Sequence, residues 1–403
     1  MPVPPRRRFL RSALFALSPG ALPAAPAPGR SPVISKVEAL AVRMPYRETF
    51  VLGRGTVAQA GGAGRYCFVR LETDAGQVGW GETIALPSWS YETPESILST
   101  VRQYLAPIVT GRSPFDHAGF ERQFSATLAP AVSQGFPFAK GAVMTAVLDL
   151  AAQIAGVPLH RLFGGRLRDT VDLSFALSID APEKMAQAAS AWPTVTCFKV
   201  KVAGDPELDA ARVMAVSRAR PDALLWVDAN QSYRPVHLEA FLKAIDGVAQ
   251  VRCLEQPVAS ADWLGLKRAR DKCRLPLAVD EGCFTAQDVA RLARLEAADL
   301  VVLKIAKSGG PWNCYRSACV AESSGLGLLG SGLTESGVGL TASVHLFSAL
   351  DLVLPPELNG PKFLEDLLVE GLTVKGNRVT VPDAPGLGIR VKEDRLRALA
   401  LPL

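Results

Sequence analysis

From about residue 170 onward the chain repeats one pattern. A short apolar run stops at a charge, a polar interval with helical periodicity follows, and the next apolar run begins. CFKVK ends at Lys201, LLWVD at Asp228, QVRCLE at Glu255, PLAVD at Asp280 and DLVVLK at Lys304, at spacings of 27, 27, 25 and 24 residues. A strand, a helix and two loops occupy about that length, so the pattern predicts successive parallel strands that bring their charges to one end. Strands are expected over 171–177, 197–201, 224–228, 250–255, 276–280, 299–304, 326–330 and 351–354, enough for a closed or nearly closed (β/α) barrel. Helices fill the intervals, with Thr285 capping 286–295 and Pro311 opening 312–323.

The N-terminal pattern differs. Alternation over 32–43 and a hairpin, 67–73 with 77–81, turned by Asp74-Ala75-Gly76, predict a small antiparallel sheet. Residues 46–65 are glycine-rich, with few side chains to anchor them. Helices are expected over 94–105 behind a Thr93 cap, over 117–128 and over 139–154, where Val143, Ala146, Val147, Leu150 and Ile154 make one apolar stripe. Sheet first and helices after is an α+β arrangement. The expected division of this α/β protein is an α+β domain over 32–160, a barrel over 161–357 and a C-terminal segment over 358–403 with a hairpin turned at Gly376-Asn377.

Charge adds little to this picture. The formal +5 is accounted for by Arg6, Arg7, Arg8, Arg11 and Arg30, and the remainder is neutral, so no nucleic-acid partner is expected. Arg6-Arg7-Arg8-Phe9-Leu10-Arg11 resembles a twin-arginine export signal ahead of a modestly apolar segment, which makes 1–31 a candidate leader. A functional leader implies the periplasm and a non-functional one the cytoplasm. No other stretch is long and apolar enough to span a bilayer. The seven cysteines form no Cys-x-x-Cys pair and read as packed free thiols.

The charged strand ends carry the chemistry. Lys199 and Lys201 alternate in one strand and so share a face. Three carboxylates converging without basic partners repel one another, and a hard divalent cation removes the conflict. Asp228, Glu255 and Asp280 are therefore the expected ligands of Mg2+, with Mn2+ as a substitute, while Asn230 and Glu281 support them. Lys201 and Lys304 stand on either side as bases for a proton α to a substrate carboxylate, and Lys199 faces the charge of the resulting enediolate. Ordinary solvated strand ends and buried lysine–acid pairs are the competing readings.

With these residues in place the sequence resembles the enolase superfamily, in particular its muconate lactonizing enzyme subgroup. Lys199-Val200-Lys201, Asp228-Ala229-Asn230-Gln231, Glu255-Gln256-Pro257, Asp280-Glu281 and Leu303-Lys304-Ile305-Ala306-Lys307-Ser308-Gly309-Gly310 match that subgroup's motifs. The resemblance implies a modified (β/α)7β barrel under an N-terminal capping domain, with the C-terminal segment returning to the cap. It implies lid segments over 46–65 and around Trp89 and Tyr91, and homo-oligomers by analogy. The small carboxylate substrate is left open among muconate cycloisomerase, o-succinylbenzoate synthase, N-acylamino acid racemase and dipeptide epimerase chemistries. The last is disfavoured by the lack of an Asp-x-Asp after the final strand. Glu335 and Glu357 are candidates for substrate contact. Outside the isomerases, a non-catalytic carboxylate-binding protein and a hydroxy-acid dehydratase are the alternatives.

Overall fold

The computed structural model describes residues 30–403 apart from 54 and 132–134; most of the candidate leader lies outside them. Strands β1 (Ile34–Pro45), β4 (Ala63–Thr73) and β5 (Val78–Ile84) form an antiparallel sheet in the order β1-β4-β5. Between β1 and β4, β2 (Phe50–Leu52) and β3 (Gly55–Ala58) form a separate hairpin. The expectation that few groups anchor this stretch does not hold. Phe50 is buried with its ring 4.7 Å from that of Phe363, Val51 N–H donates to Ser178 Oγ at 2.8 Å, and Ile179 N–H donates to Val51 O at 3.0 Å.

Four helices follow: α1 (Pro94–Thr100), α2 (Ala106–Val109), α3 (His117–Thr127) and α4 (Pro137–Ile154). Thr93 and Ser96 form a capping box on α1. The single helix expected over 94–105 is broken by a π-helical turn, Val101–Leu105. Pro107 has no amide to continue the regular ladder, and Ala106 N–H bonds back to Val101 O instead. Rather than showing one apolar stripe, α4 is buried on every side from Pro137 to Ala152. Burial reaches Lys140 and Asp149, and the Asp149 carboxylate accepts the amides of Trp80 and Leu387.

The second sheet is parallel, in the order β13-β12-β11-β10-β9-β8-β7. Its strands are β7 (Phe175–Leu177), β8 (Cys197–Lys201), β9 (Leu224–Asp228), β10 (Val251–Glu255), β11 (Leu277–Val279), β12 (Leu300–Leu303) and β13 (Gly327–Gly330). Between them lie α5 (Pro182–Ser190), α6 (Pro206–Ala219), α7 (Pro235–Ala244), α8 (Trp263–Lys272), α9 (Ala286–Leu295), the single turn α10 (Ile305–Ser308) and α11 (Pro311–Ser323); α12 (Gly337–Ser348) follows β13. The first expected strand divides in two. Its start, β6 (Thr170–Asp172), pairs with a tail strand, and only β7 joins the barrel.

No eighth strand forms over 351–354. Closure comes from isolated parallel bridges, Leu328 with Leu352 and Glu357 with both Ser331 and Ser174. Pro355 and Pro356 lie between them, and two consecutive residues without N–H groups cannot sustain a ladder. Inside the barrel Cys197, Trp226, Cys253, Ala278, Leu300, Val302, Leu329 and Leu354 pack as a closed apolar plug.

The tail comprises α13 (Gly360–Phe363), β14 (Val369–Glu370), β15 (Val374–Lys375), β16 (Arg378–Thr380), β17 (Arg390–Val391) and α14 (Glu393–Ala398). It ends against the first sheet, where Leu401 N–H donates to Ala41 O at 2.8 Å and Arg397 pairs with Glu38. Among the described residues no helix is long and apolar enough to cross a membrane.

Strand β5 lies directly on α4. A Cβ at Gly81 would fall 1.8 Å from Ala142 O, and one at Gly79 would fall 2.5 Å from Ala146 O. Both obstacles are helix backbone and cannot rotate away. Gly81→Ala is therefore expected to cost about 2–3 kcal/mol, read as a lower urea midpoint of unfolding. An unchanged midpoint would show that the two elements do not pack as described.

Candidate active site at the open end of the barrel

Sheet register sets out the charged groups. Lys201 stands beside Asp228, and Asp228 beside Glu255, on three adjacent strands. Asp280 follows one residue after β11, and Lys304 one residue after β12. Just beyond the carboxylates, Asn230, Gln231 and Gln256 have positive φ of 41°, 68° and 39°. Non-glycine residues seldom adopt that conformation, and its clustering at strand ends marks a strained functional rim.

Lys199, Lys201, Lys304, Asp228, Glu255, Asp280 and Glu357 are buried there, and Glu281 is half-buried. Lys199 Nζ rests 4.3 Å above the Trp226 ring. It lies 3.0 Å from Glu255, 3.1 Å from Asp228 and 3.2 Å from Glu357. Lys201 Nζ is 2.5 Å from Asp228 Oδ2 and 3.2 Å from Asn230 Oδ1. Across the barrel Lys304 Nζ is 2.6 Å from Asp280 Oδ2 and 4.5 Å over the Trp89 ring.

Residues without an assigned role in the sequence complete the arrangement. Lys307 Nζ reaches Asp280 Oδ1 at 2.7 Å and its carbonyl at 2.8 Å. Gln256 Oε1 accepts the amides of Asp280 and Gly282, both at 3.1 Å. Ser331 Oγ donates to Glu357 at 2.5 Å, and Asn359 Nδ2 also donates to Glu357. Lys307 lies within the Leu303–Gly310 motif, and its i,i+3 spacing from Lys304 is the signal that puts both ammonium groups on one side of a one-turn helix.

Four lysines thus face five carboxylates, Asp228, Glu255, Asp280, Glu281 and Glu357. Burial alone would raise Asp228, but the ammonium groups of Lys201 and Lys199 outweigh it and hold the carboxyl well below its usual range. Asp280 is depressed in the same way, with Lys304 and Lys307 overcoming burial. Glu255 carries the excess: burial and then the neighbouring Asp228 charge push it well above an ordinary carboxyl. Burial likewise raises Glu281, and its buried Oε2 accepts no hydrogen bond. Burial would lower Lys199, but Glu255, Glu357 and Asp228 hold it well above its normal value.

This donor set fits a hard divalent cation, since it offers carboxylate oxygens, one of them unpartnered, and no thiolate or imidazole. One oxygen each from Glu255, Asp280 and Glu281 lies within 4.8 Å of the others. Asp228, expected in that group, is drawn aside by Lys201 and Lys199, while Glu281, expected to support, lies inside it.

Above these groups is a narrow cleft of about 30 Å³. Phe50, Leu52, Val57, Leu86 and Trp89 form an apolar wall, and Lys201, Asn230, Lys304, Glu357 and Asn359 a polar one. Gly332, Leu333 and Thr334 make a third side. Trp89 and Glu357 therefore lie where substrate contact was expected. Tyr91 does not line the cleft: it is 51% exposed and its hydroxyl accepts the Phe136 amide. Glu335 does not line it either, because its carboxylate folds back onto the amide of Leu333 in its own turn. His237 is exposed on α7, and His345 is buried against His160. A larger concavity of about 760 Å³ opens between β5, α4 and the tail, but contains none of the lysine–carboxylate groups.

Comparisons with known proteins place the chain in a family. Residues 34–164 match the family model for the mandelate racemase / muconate lactonizing enzyme N-terminal domain, and residues 182–395 match the enolase C-terminal domain-like family. The chain is 30% identical over 373 residues to the N-succinyl-L-Arg/Lys racemase of Bacillus cereus, covering 91% of this chain and 98% of that one. It is 36% identical over 347 residues to muconate cycloisomerase 1-2 of Acinetobacter lwoffii, covering 82% and 87%. The crystal structure of a dipeptide epimerase from Cytophaga hutchinsonii, complexed with Mg and D-Ala-L-Val, superposes with a TM-score of 0.84 at 28% identity, covering 91% and 98%.

Among the described residues, Lys199 is the one lysine that contacts three of the clustered acids. Lys199→Met should destabilise the metal-free protein by about 3–5 kcal/mol, because it leaves buried carboxylates without their counter-ion. Thermal unfolding with chelator and with excess Mg2+ checks this: the gap from wild type should narrow with Mg2+. An equal gap in both conditions would mean that the cluster does not take the ion.

Proposed function

The chain belongs to the enolase superfamily, in its muconate lactonizing enzyme-like subgroup, and we propose that it is a Mg2+-dependent isomerase that moves a proton at the carbon α to a substrate carboxylate. The observation that carries this reading is that Lys201 and Lys304 both line one narrow cleft, each tied to a different carboxylate. Asp228, Glu255 and Asp280, with Glu281 beside them, would hold the ion. The ion would supply positive charge opposite the oxygens of a bound carboxylate, where an enediolate develops negative charge.

The chain's own groups do the rest. Lys201 takes or returns the α-proton on one face and Lys304 on the other. Lys199, held by Glu255, Glu357 and Asp228, remains an ammonium and faces the developing charge. The Trp89 ring over Lys304 stabilises its cationic form after transfer. The wall of Phe50, Leu52, Val57 and Leu86 excludes water from the reacting carbon. A cleft of about 30 Å³ holds little more than ordered water, so the β2–β3 hairpin acts as a lid that opens for substrate.

Two lysines on opposite sides suit racemisation or epimerisation, and the polar wall of Glu357 and Asn359 suits an amide-bearing substrate such as an N-acylamino acid. Cycloisomerisation of a dienoate is the second reading, favoured by the apolar wall facing Lys201. The working division is a cap over 32–160, a barrel over 161–357 and a returning segment over 358–403.

Proton NMR in deuterium oxide with Mg2+ tests the reading against N-acylamino acids, dipeptides and muconolactone. α-Proton exchange is expected for one class. It should fall on the order of 10²–10⁴-fold in Lys201→Ala and Lys304→Ala and stop when the metal is chelated. Ligand binding with no exchange anywhere in the panel would favour a binding protein on the same fold.

A further inference from the structure

The third side of the cleft is gripped from outside the barrel. Gly332, Leu333 and Thr334 belong to a turn between β13 and α12, and Thr334 holds a positive φ of 73°. A β-branched residue is strained in that conformation and keeps it only when its surroundings impose it.

Two buried side chains from the N-terminal sheet impose it. Tyr66, on β4, donates its hydroxyl to Thr334 O at 2.8 Å. The hydroxyl of Tyr46, which itself lines the cleft, lies against that of Tyr66. Glu82, on β5, accepts Ser336 N–H at 2.5 Å, Ser336 Oγ–H at 2.8 Å and Gly339 N–H at 2.8 Å. Ser336 makes no side-chain cap of its own, so the first turn of α12 is capped by a carboxylate 254 residues away in sequence. Tyr66 and Glu82 fix the two ends of one short strained segment, and neither lines the cleft.

We propose that Glu82 and Tyr66 are positioning residues, which transmit the placement of the cap sheet to the turn at 332–336 and so set substrate affinity and choice without touching substrate. The cap shapes the cleft by two routes, directly through the lid hairpin and indirectly through this grip on a barrel loop. The substrate arm of the test rests on the isomerase reading above; the exchange arm does not.

Glu82→Gln keeps the size of the side chain but replaces one acceptor oxygen with a donor. Tyr66→Phe removes a single hydroxyl from a ring that stays packed, and serves if the first variant does not fold. In either variant, hydrogen–deuterium exchange should be about tenfold faster at the amides of Leu333 and Thr334, which Glu82 does not bind, and unchanged at Leu225–Val227 in the barrel wall. With the substrate identified by α-proton exchange, KM should rise about tenfold, kcat should stay within about threefold and the rank order of substrates should change. Unchanged exchange at Leu333 and Thr334, or a lower melting temperature with KM and rank order intact, would overturn the proposal. A wild-type protein without turnover would remove the isomerase reading and leave the exchange result to decide the positioning claim.

Discussion

Five carboxylates crowd the mouth of a barrel whose floor is a dry apolar plug, and the surrounding structure serves to make that crowding tolerable. Each acid in isolation would be driven to its neutral form by desolvation. Four lysines divide the load unevenly: Asp228 and Asp280 each have two close ammonium groups, whereas Glu255 shares Lys199 with two other acids. One negative charge is left over, and Glu255 and Glu281 are the acids pushed upward. A divalent cation among them would let the acids ionise together and would weaken the hold of Asp228 on Lys201 and of Asp280 on Lys304. The same residues could thus hold one another in the absence of the ion and free Lys201 and Lys304 in its presence.

Parallel β/α repetition makes this arrangement inexpensive to build. Adjacent strands in register place Lys201, Asp228 and Glu255 side by side with no special loop. Positive-φ residues turn the chain away directly afterwards, so the carboxylates remain at the rim. Closure without an eighth strand gives Glu357 two bridging partners and delivers its carboxylate to Lys199. The β2–β3 hairpin and the loop after β5 contribute the apolar wall, and Tyr66 and Glu82 of the N-terminal sheet hold the opposing turn.

The barrel and its charged rim were legible because both follow from local rules: an apolar run of strand length, a terminal charge and a constant βα interval. What sequence reasoning missed depends on contacts between distant segments. The partners of Glu82 lie on the far side of the chain, and nothing near Gly79-Trp80-Gly81-Glu82 announces them. Helix α4 shows a stripe only when taken alone; packed between β5 and the barrel it has no exposed side left. The segment at 46–65 looked unanchored because its glycines hide backbone bonds from Val51 to the loop after β7. Tyr91 and Glu335 were placed in the cleft by proximity in sequence to residues that do line it, and each finds its partner in a neighbouring backbone amide instead.

Whether the carboxylate cluster takes a divalent cation is read from a Mn2+ titration followed by electron paramagnetic resonance. One tight site per chain is expected, displaced by Mg2+ and lost in Glu255→Gln while the fold persists. Absence of a tight site, or a site untouched by Glu255→Gln, would mean that lysine pairing alone is the final state of these acids and that no ion assembles the chemistry here.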